Sequence, residues 1–444
     1  MQLGGFLHRV AFVATSAALP VRQAARGHHG FFNDLDTDMK VLFVHQNFPG
    51  QYLHLARHLA RDPGNEVVAI TQRKDLKIPG MKTFVYVPSR KVTSHLHHYL
   101  GDMESGILNA QQVARTALQL RDAGFIPDVM IGHNGWGEIW FLKDVYPKVP
   151  LLGYFEFFYR LQGSDVGFDP STPASFDDAP RLRVKNAGNL LGLEASDWGQ
   201  CPTRWQRSQF PLHYQPMLHE VHEGIDTAIV APDASASVRL AKAGVELKAG
   251  DEVVTYVARN LERYRGFATF MRALPQVLEK RPKAHVLIVG GNETSYGPKP
   301  PKGTTLRQQM LEELGSSLDL SRVHFLGKVP YSSFLKVLQV SMAHVYLTYP
   351  FVLSWSMMEA MSAGCLVIGS RTAPVEEVLR DGENGWVVDF FSPQQVSARV
   401  VEALASPQDQ KIIRGRARQT IVDRYDLNSV CLPSTLLLLS RLAA

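Results

Sequence analysis

The chain has 444 residues, too many for one hydrophobic core and enough for two or three domains. With 45% hydrophobic and 20% charged residues it has the balance of an ordinary globular protein, not of a disordered or fibrous one. A net charge of +5 suits an anionic ligand or an acidic membrane surface, but excludes the dense Lys/Arg coverage of a nucleic-acid binder.

Three cysteines, Cys201, Cys365 and Cys431, are far apart and form no CxxC pair. That argues for a reducing cytoplasm and against a disulfide framework or a structural zinc. No apolar run reaches membrane-spanning length. Residues 1–38 contain VAFVATSAALPV, loosely like the apolar part of a secretory signal, but the basic flank is thin and the cleavage signal poor. They are read as a disordered extension ahead of a fold that begins at Met39. Acidic pairs within it (Asp34-Leu35-Asp36, Asp36-Thr37-Asp38) lie away from any strand end, so no metal site is expected.

Residues 41–44 predict a buried strand, followed by a loop with Pro49 and Gly50 and an amphipathic helix carrying Leu53, Leu55, Ala56, Leu59 and Ala60. A second strand at 67–70 completes the first half of a doubly wound domain. A single glycine at 50 is not the G-x-G-x-x-G fingerprint, so a dinucleotide cofactor has weak support. A helix is expected over 104–123 and a buried strand over 127–132, with His133 just past its end. A histidine there contacts substrate or is simply a satisfied surface group. Strand 151–155 runs into Glu156, Phe157, Phe158, Tyr159 and Arg160. An acid and an arginine among aromatics either line an acceptor cleft, with Glu156, Tyr159 and Arg160 as its binding residues, or pack the domain edge. Residues 163–180, rich in Ser, Asp, Pro and Gly, read as an exposed loop near the active face. A helix over 181–194, a helix start at 203–210 and a short strand at 218–221 lead to a linker at 222–227.

The second domain opens with a strand at 252–257 that runs into Arg259, Arg263, Arg265 and Gly266. Arginines at the carboxyl end of a strand can clamp phosphate in bidentate fashion, or pair with surface acids. A helix at 267–278, a strand at 285–291 ending in Gly290-Gly291, a strand at 323–327 and a helix at 331–338 follow. Strand 343–347 then meets a Tyr-Pro loop, a helix capped by Ser354 or Ser356, and strand 365–368. The N-terminus of that helix offers free N–H groups and partial positive charge to a phosphate. Glu359 is the one acid in this helix: it accepts both hydroxyls of a ribose, or is a partly solvated surface group. A helix from 372, a turn at 381–385, a strand at 386–388 and two closing helices complete the chain. The expected domains are 39–227, 228–415, and helices over 416–444 packing back toward the first domain.

Together these residues resemble the retaining glycosyltransferases of family 4 (group 1). The resemblance runs from Met39 to about the C-terminus and is strongest over 254–388. It rests on the basic loop from Arg259 to Gly266, the strand end Phe325-Leu326-Gly327, the helix from Glu359 to Gly364 (EAMSAG), and the series from Pro374 to Gly385. His133 after Pro127-Asp128-Val129, and His222-Glu223-Gly224-Ile225-Asp226, are similar to two further landmarks. The resemblance implies an α/β GT-B fold, two facing Rossmann-like domains with parallel sheets and a cleft between them. It implies transfer of a sugar from a nucleotide diphosphate donor with retention, with no cofactor and no metal. Arg259 and Arg265 would hold the diphosphate, Gly50, Gly290 and the helix start Ser354-Trp355-Ser356 would contact the donor, and Glu359 would take the ribose. His133 would lie near the reacting centre. The acceptor would be a sugar or lipid-linked molecule in surface polysaccharide or glycoconjugate synthesis, reached from the cytoplasm at the inner membrane face. Two positions depart from the pattern: Phe351 stands where a first glutamate is usual, and Arg265 replaces a lysine. Other readings are an inactive GT-B binding subunit of a polysaccharide assembly complex and another sugar-nucleotide enzyme such as an epimerase.

Overall fold

The computed structural model describes residues 38–241 and 243–444; apart from Asp38, the expected extension over 1–38 lies outside the described residues. The first sheet has seven strands: β1 (Lys40–Val44), β2 (Glu66–Thr71), β3 (Met81–Val85), β4 (Val129–His133), β5 (Leu151–Tyr154), β6 (Trp198–Cys201) and β7 (Leu218–Glu220). A small antiparallel hairpin, β8 (Ser237–Leu240) and β9 (Val245–Lys248), precedes the second sheet. That sheet has six strands: β10 (Val253–Asn260), β11 (His285–Gly291), β12 (Val323–Gly327), β13 (Ala343–Tyr346), β14 (Leu366–Ser370) and β15 (Trp386–Val388).

Strands β4, β13 and β14 are buried at every position, and β1 at all but its first. Helices cover both faces of such sheets, which is why these strands read as continuous apolar runs and pair in parallel. The strand orders are β3-β2-β1-β4-β5-β6-β7 and β12-β11-β10-β13-β14-β15. Each order reverses beside its first strand, at β1/β4 and at β10/β13, and ligands of open α/β sheets bind at the carboxyl ends of the strands flanking such a switch. This is the GT-B architecture, two parallel-sheet lobes.

Several local expectations differ from the structure. Strand β3 has no counterpart among the expected elements, because it is an edge strand with Phe84 and Val85 exposed and has no buried run to announce it. The helix expected over 181–194 is two helices, Asp178–Lys185 and Ala187–Ala195. They meet at Asn186, whose amide accepts from Tyr159 N (2.9 Å) and donates to Tyr159 O (2.7 Å). Three helices follow β15, not two: Pro393–Ala405, Lys411–Tyr425 and Leu432–Ala443. Asp426 separates the last two by accepting from the N–H groups of Asn428 and Ser429 at 3.0 and 2.7 Å.

The chain crosses between the lobes twice. At the crossings Ile225 N donates to Tyr425 O and Leu427 N donates to Ile225 O, both at 2.8 Å. Helix Lys411–Tyr425 packs on the second lobe through Ala417, Ile421 and Tyr425, whereas Leu438 and Leu439 of helix Leu432–Ala443 join the first-lobe core with Val41, Phe43 and Leu55. No helix among the described residues is long and apolar enough to cross a membrane.

Candidate active site

The carboxyl ends of both sheets open on one cleft. A cavity of about 180 Å³ lies there, bounded on the first lobe by Gln51, Glu156 and Glu223 and on the second by Arg259, Arg265 and Ser354. Arg265 is buried, and its Nη1 donates to Tyr346 Oη (3.1 Å), Thr348 Oγ1 (2.8 Å) and Val352 O (3.0 Å). These bonds hold one edge of the guanidinium against β13 and its loop. Arg259 is exposed at the end of β10, and Arg263 turns away to a separate surface cavity. Of the three arginines expected around one anion, two border this cavity.

Ser354 caps helix Trp355–Ser362, its side chain accepting from Ser356 N at 3.4 Å. Ser354 N itself donates to Tyr346 Oη at 2.8 Å, so the helix start is tied to the residue that also anchors Arg265. Ser356 is buried behind the cap, with its Oγ 3.0 Å from Ser354 Oγ. Trp355 reaches across the cleft, its Nε1 donating to Glu223 Oε2 at 2.8 Å. Glu359, on the next turn, lies outside this cavity. It is buried, its Oε1 accepts from Tyr331 Oη at 2.7 Å, and burial raises its pKa.

On the first lobe the carboxylates of Glu156 and Glu223 face this cationic wall. Burial, then Glu223, pushes Glu156 up to about 7 against the pull of Arg259 and Arg265. Glu223 also accepts a short hydrogen bond from Tyr154 Oη. His133, at the end of β4, is buried between the rings of Trp136 and Tyr154, with centroids 4.5 and 5.1 Å away. Its Nδ1 accepts from Gly135 N at 2.9 Å, while Nε2 has no hydrogen-bond partner and lies 3.9 Å from Glu156 Oε2. Burial, with His45 beside it, holds His133 well below the usual histidine range, so the ring is neutral.

Gly50 has φ +47°, and a Cβ there would come within 2.7 Å of His45 Nε2, so only glycine lets this loop pack on that ring. Gly290 lies under the arginine loop, where a Cβ would be 2.8 Å from Leu261 Cδ2 and 2.9 Å from Ala258 O. Neither glycine lines the cavity.

A larger cavity, of about 420 Å³, adjoins the first and shares Glu156 and Tyr296 with it. His133, Tyr159 and Lys185 line it. Arg160 does not: its Nε donates to Gln209 O at 2.6 Å, which spends the guanidinium on holding a first-lobe loop. Phe351 closes the boundary, packed at 4.6 Å from Phe157, 4.7 Å from Tyr296 and 5.6 Å from Tyr264. The loop over 163–180 is exposed at 170–177, as expected, but its first part is held against the second lobe. Asp165 is buried and accepts from Tyr264 Oη at 2.8 Å, and Asp169 accepts from Tyr349 Oη at 3.0 Å, which clasps the first lobe to the second.

Sequence reading missed three groups here. His45 follows β1 directly, and the position just past a switch-point strand was its only signal. Glu223 sits in a turn whose acid had no visible partner until Trp355 and Tyr154 were placed beside it. Glu138 is fully buried behind the β1 loop. Its Oε1 accepts from Gln46 N (2.7 Å) and Tyr86 Oη (3.3 Å), and its Oε2 has no partner. Burial raises its pKa from 4.5 to about 7. Between these values the folded state binds the proton more tightly than the unfolded state, so the group's contribution to stability falls as pH rises toward 7 and stays lost above it. Glu138→Gln keeps the accepting oxygen and removes the ionisation. Its melting temperature is expected to exceed that of the wild type by a few degrees at pH 8 and to fall less between pH 5 and 7, as read by thermal melts across pH. Equal slopes would show that Glu138 does not titrate in this range.

Two family profiles match: "Glycosyl transferase family 4 group" over residues 63–230 and "Glycosyl transferases group 1" over residues 239–420. The phosphatidyl-myo-inositol mannosyltransferase of Mycobacterium tuberculosis is 26% identical over 248 residues, 49% of this chain and 60% of that protein. The chain thus spans about three-fifths of that relative's length. The GDP-mannose-dependent alpha-(1-6)-phosphatidylinositol monomannoside mannosyltransferase of Mycolicibacterium smegmatis is 26% identical over 312 residues, 67% of this chain and 74% of that protein. Among solved structures, Anabaena HepE in complex with UDP and glucose superposes with a TM-score of 0.61 at 16% identity, covering 90% of this chain and all of that one. The two profiles fall one on each lobe, and the lobes have the GT-B arrangement; the chain belongs to the group 1 glycosyl transferases of family 4.

Proposed function

We propose that this chain moves a sugar from a nucleotide diphosphate donor to an acceptor, with net retention at the anomeric carbon and without a bound metal, in the synthesis of a surface polysaccharide or glycoconjugate. The observation that carries the reading is the meeting of Arg259, Arg265 and the capped start of helix Trp355–Ser362 on one wall of the cleft. A departing diphosphate gains negative charge, and this wall carries positive charge fixed before the reaction begins. Arg265 needs no reorientation, since Tyr346, Thr348 and Val352 already hold it. In this reading the donor sugar lies toward His133, whose neutral, unpartnered Nε2 is free to bond a sugar hydroxyl. The ribose contact of Glu359, which lies behind the helix start and holds Tyr331, is carried from the family resemblance; Glu156 meets the acceptor where the two cavities join. Retention is carried from the family resemblance; the anchored Arg265, with Arg259 beside it, supports the metal-free part.

A thermal-shift and hydrolysis screen against UDP-, GDP- and ADP-sugars tests the reading. One nucleotide sugar at ~100 times its Kd is expected to raise the wild-type melting temperature by several degrees and to be slowly hydrolysed. Glu359→Ala should bind it more weakly. Proton NMR of the product reads the anomeric configuration, and turnover in the presence of a chelator reads the metal. Phe351 favours a second reading, a binding subunit that no longer uses a donor. No shift with any nucleotide sugar would select it.

A further inference from the structure

The larger cavity carries two kinds of surface. One is aromatic, from Trp136, Tyr159, Tyr296 and Phe351. The other is polar and poor in free cations: Asp102, Asn134, Glu156 and Asn189 offer oxygens, and Lys185 is the only Lys or Arg among the lining residues. That single ammonium is already engaged. It lies 3.4 Å from Asp102 Oδ2 and 4.3 Å from the centroid of the Tyr159 ring. His133 adds no charge, because burial keeps its ring neutral.

A phosphate entering this space would face two carboxylates with no uncommitted cation to neutralise it, an unfavourable burial of charge. A sugar ring without charge meets the opposite circumstances. Its C–H faces lie against aromatic rings, and its hydroxyls donate to the carboxylates and amides. We propose that the part of this cavity beside Tyr159, Asp102 and Lys185, next to the His133 end given to the donor sugar, takes the acceptor as an uncharged sugar ring, and that Asp102 sets that preference by neutralising Lys185. The inference rests on the transferase reading, since it concerns the acceptor half of the same cleft.

Trp136 and Trp140 both line the cavity, so tryptophan fluorescence reports its occupancy. The probes are matched pairs: glucose and glucose 6-phosphate, myo-inositol and inositol 1-phosphate, together with methyl glycosides of mannose, galactose and N-acetylglucosamine. At least one uncharged ring is expected to quench the wild type saturably, with the phosphorylated member of each pair at least about tenfold weaker. Asp102 lies in the first turn of helix Gly101–Asp122 with its side chain 75% exposed, so Asp102→Asn keeps the fold. By releasing Lys185 it should narrow the gap within each pair several-fold. Wild type that prefers a phosphorylated ring, wild type that responds to no uncharged ring, or Asp102→Asn with an unchanged gap would each overturn the proposal. Donor thermal shifts on the same samples keep the two readings apart. A bound donor with a preferred phosphorylated ring overturns the acceptor inference alone, whereas loss of donor binding overturns the transferase reading beneath it.

Discussion

Replacing Arg265 with alanine is expected to lower kcat for sugar transfer by ~100-fold or more, the scale seen when one fixed donor to developing charge is removed. Arg265 is the group on the cationic wall of the cleft with the least freedom to be replaced by another. Its Nη1 is shared among Tyr346, Thr348 and Val352, and the rest of its guanidinium borders the cavity. Arg259 is exposed and has no such anchoring, so it cannot supply the same oriented charge. Arg265→Lys keeps the charge, but one ammonium nitrogen cannot both hold the Nη1 anchors and present a second guanidinium edge to the cavity, so it should recover only part of the activity. Arg265→Ala also takes the donor from Thr348 Oγ1 and Val352 O, so its turnover must be read below its lowered melting temperature. Full activity in the folded alanine variant would remove Arg265 from the donor site.

The second large effect concerns stability. Phe351 packs against rings from both lobes, Phe157 on one side and Tyr264 and Tyr296 on the other. Restoring the family's usual glutamate here puts a carboxylate among aromatic rings and removes one of the contacts that join the lobes. Phe351→Glu is expected to cost about 3–5 kcal/mol, read by chemical denaturation. Phe351→Leu should cost much less, because it preserves apolar volume. A Phe351→Glu variant that melts like the wild type and turns over faster would show a donor contact vacated in this chain, and not a position given over to packing.

The parts of this molecule that were legible in its sequence are those set by short-range pattern. Strands β1, β4, β10 and β13 were visible because sheets covered on both faces require unbroken apolar runs. The helix start at Ser354 was visible because capping has its own local chemistry. What escaped was whatever depends on a partner far along the chain. Arg160 and Glu156 sit four residues apart in one aromatic stretch and looked equally suited to an acceptor. Only the fold shows that Gln209 O takes the arginine, while Glu156 faces Arg259 and Arg265. Arg259, Arg263 and Arg265 looked like one cluster, yet the short helical turn Arg263–Arg265 aims its two arginines to different sides. Glu223 needed Trp355, and Asp165 needed Tyr264, across a cleft that no spacing in the sequence encodes.

The helix Leu432–Ala443 has a consequence for how the chain is made. It belongs to the core of the first lobe, yet it emerges from the ribosome only after the entire second lobe has been synthesised. Until then the apolar surface beside Val41, Phe43 and Leu55 waits uncovered, and the lobe that is translated first is the one completed last. Such long-range closure slows folding and leaves an early intermediate exposed to aggregation. Maturation of the first lobe thus depends on correct formation of everything that follows it.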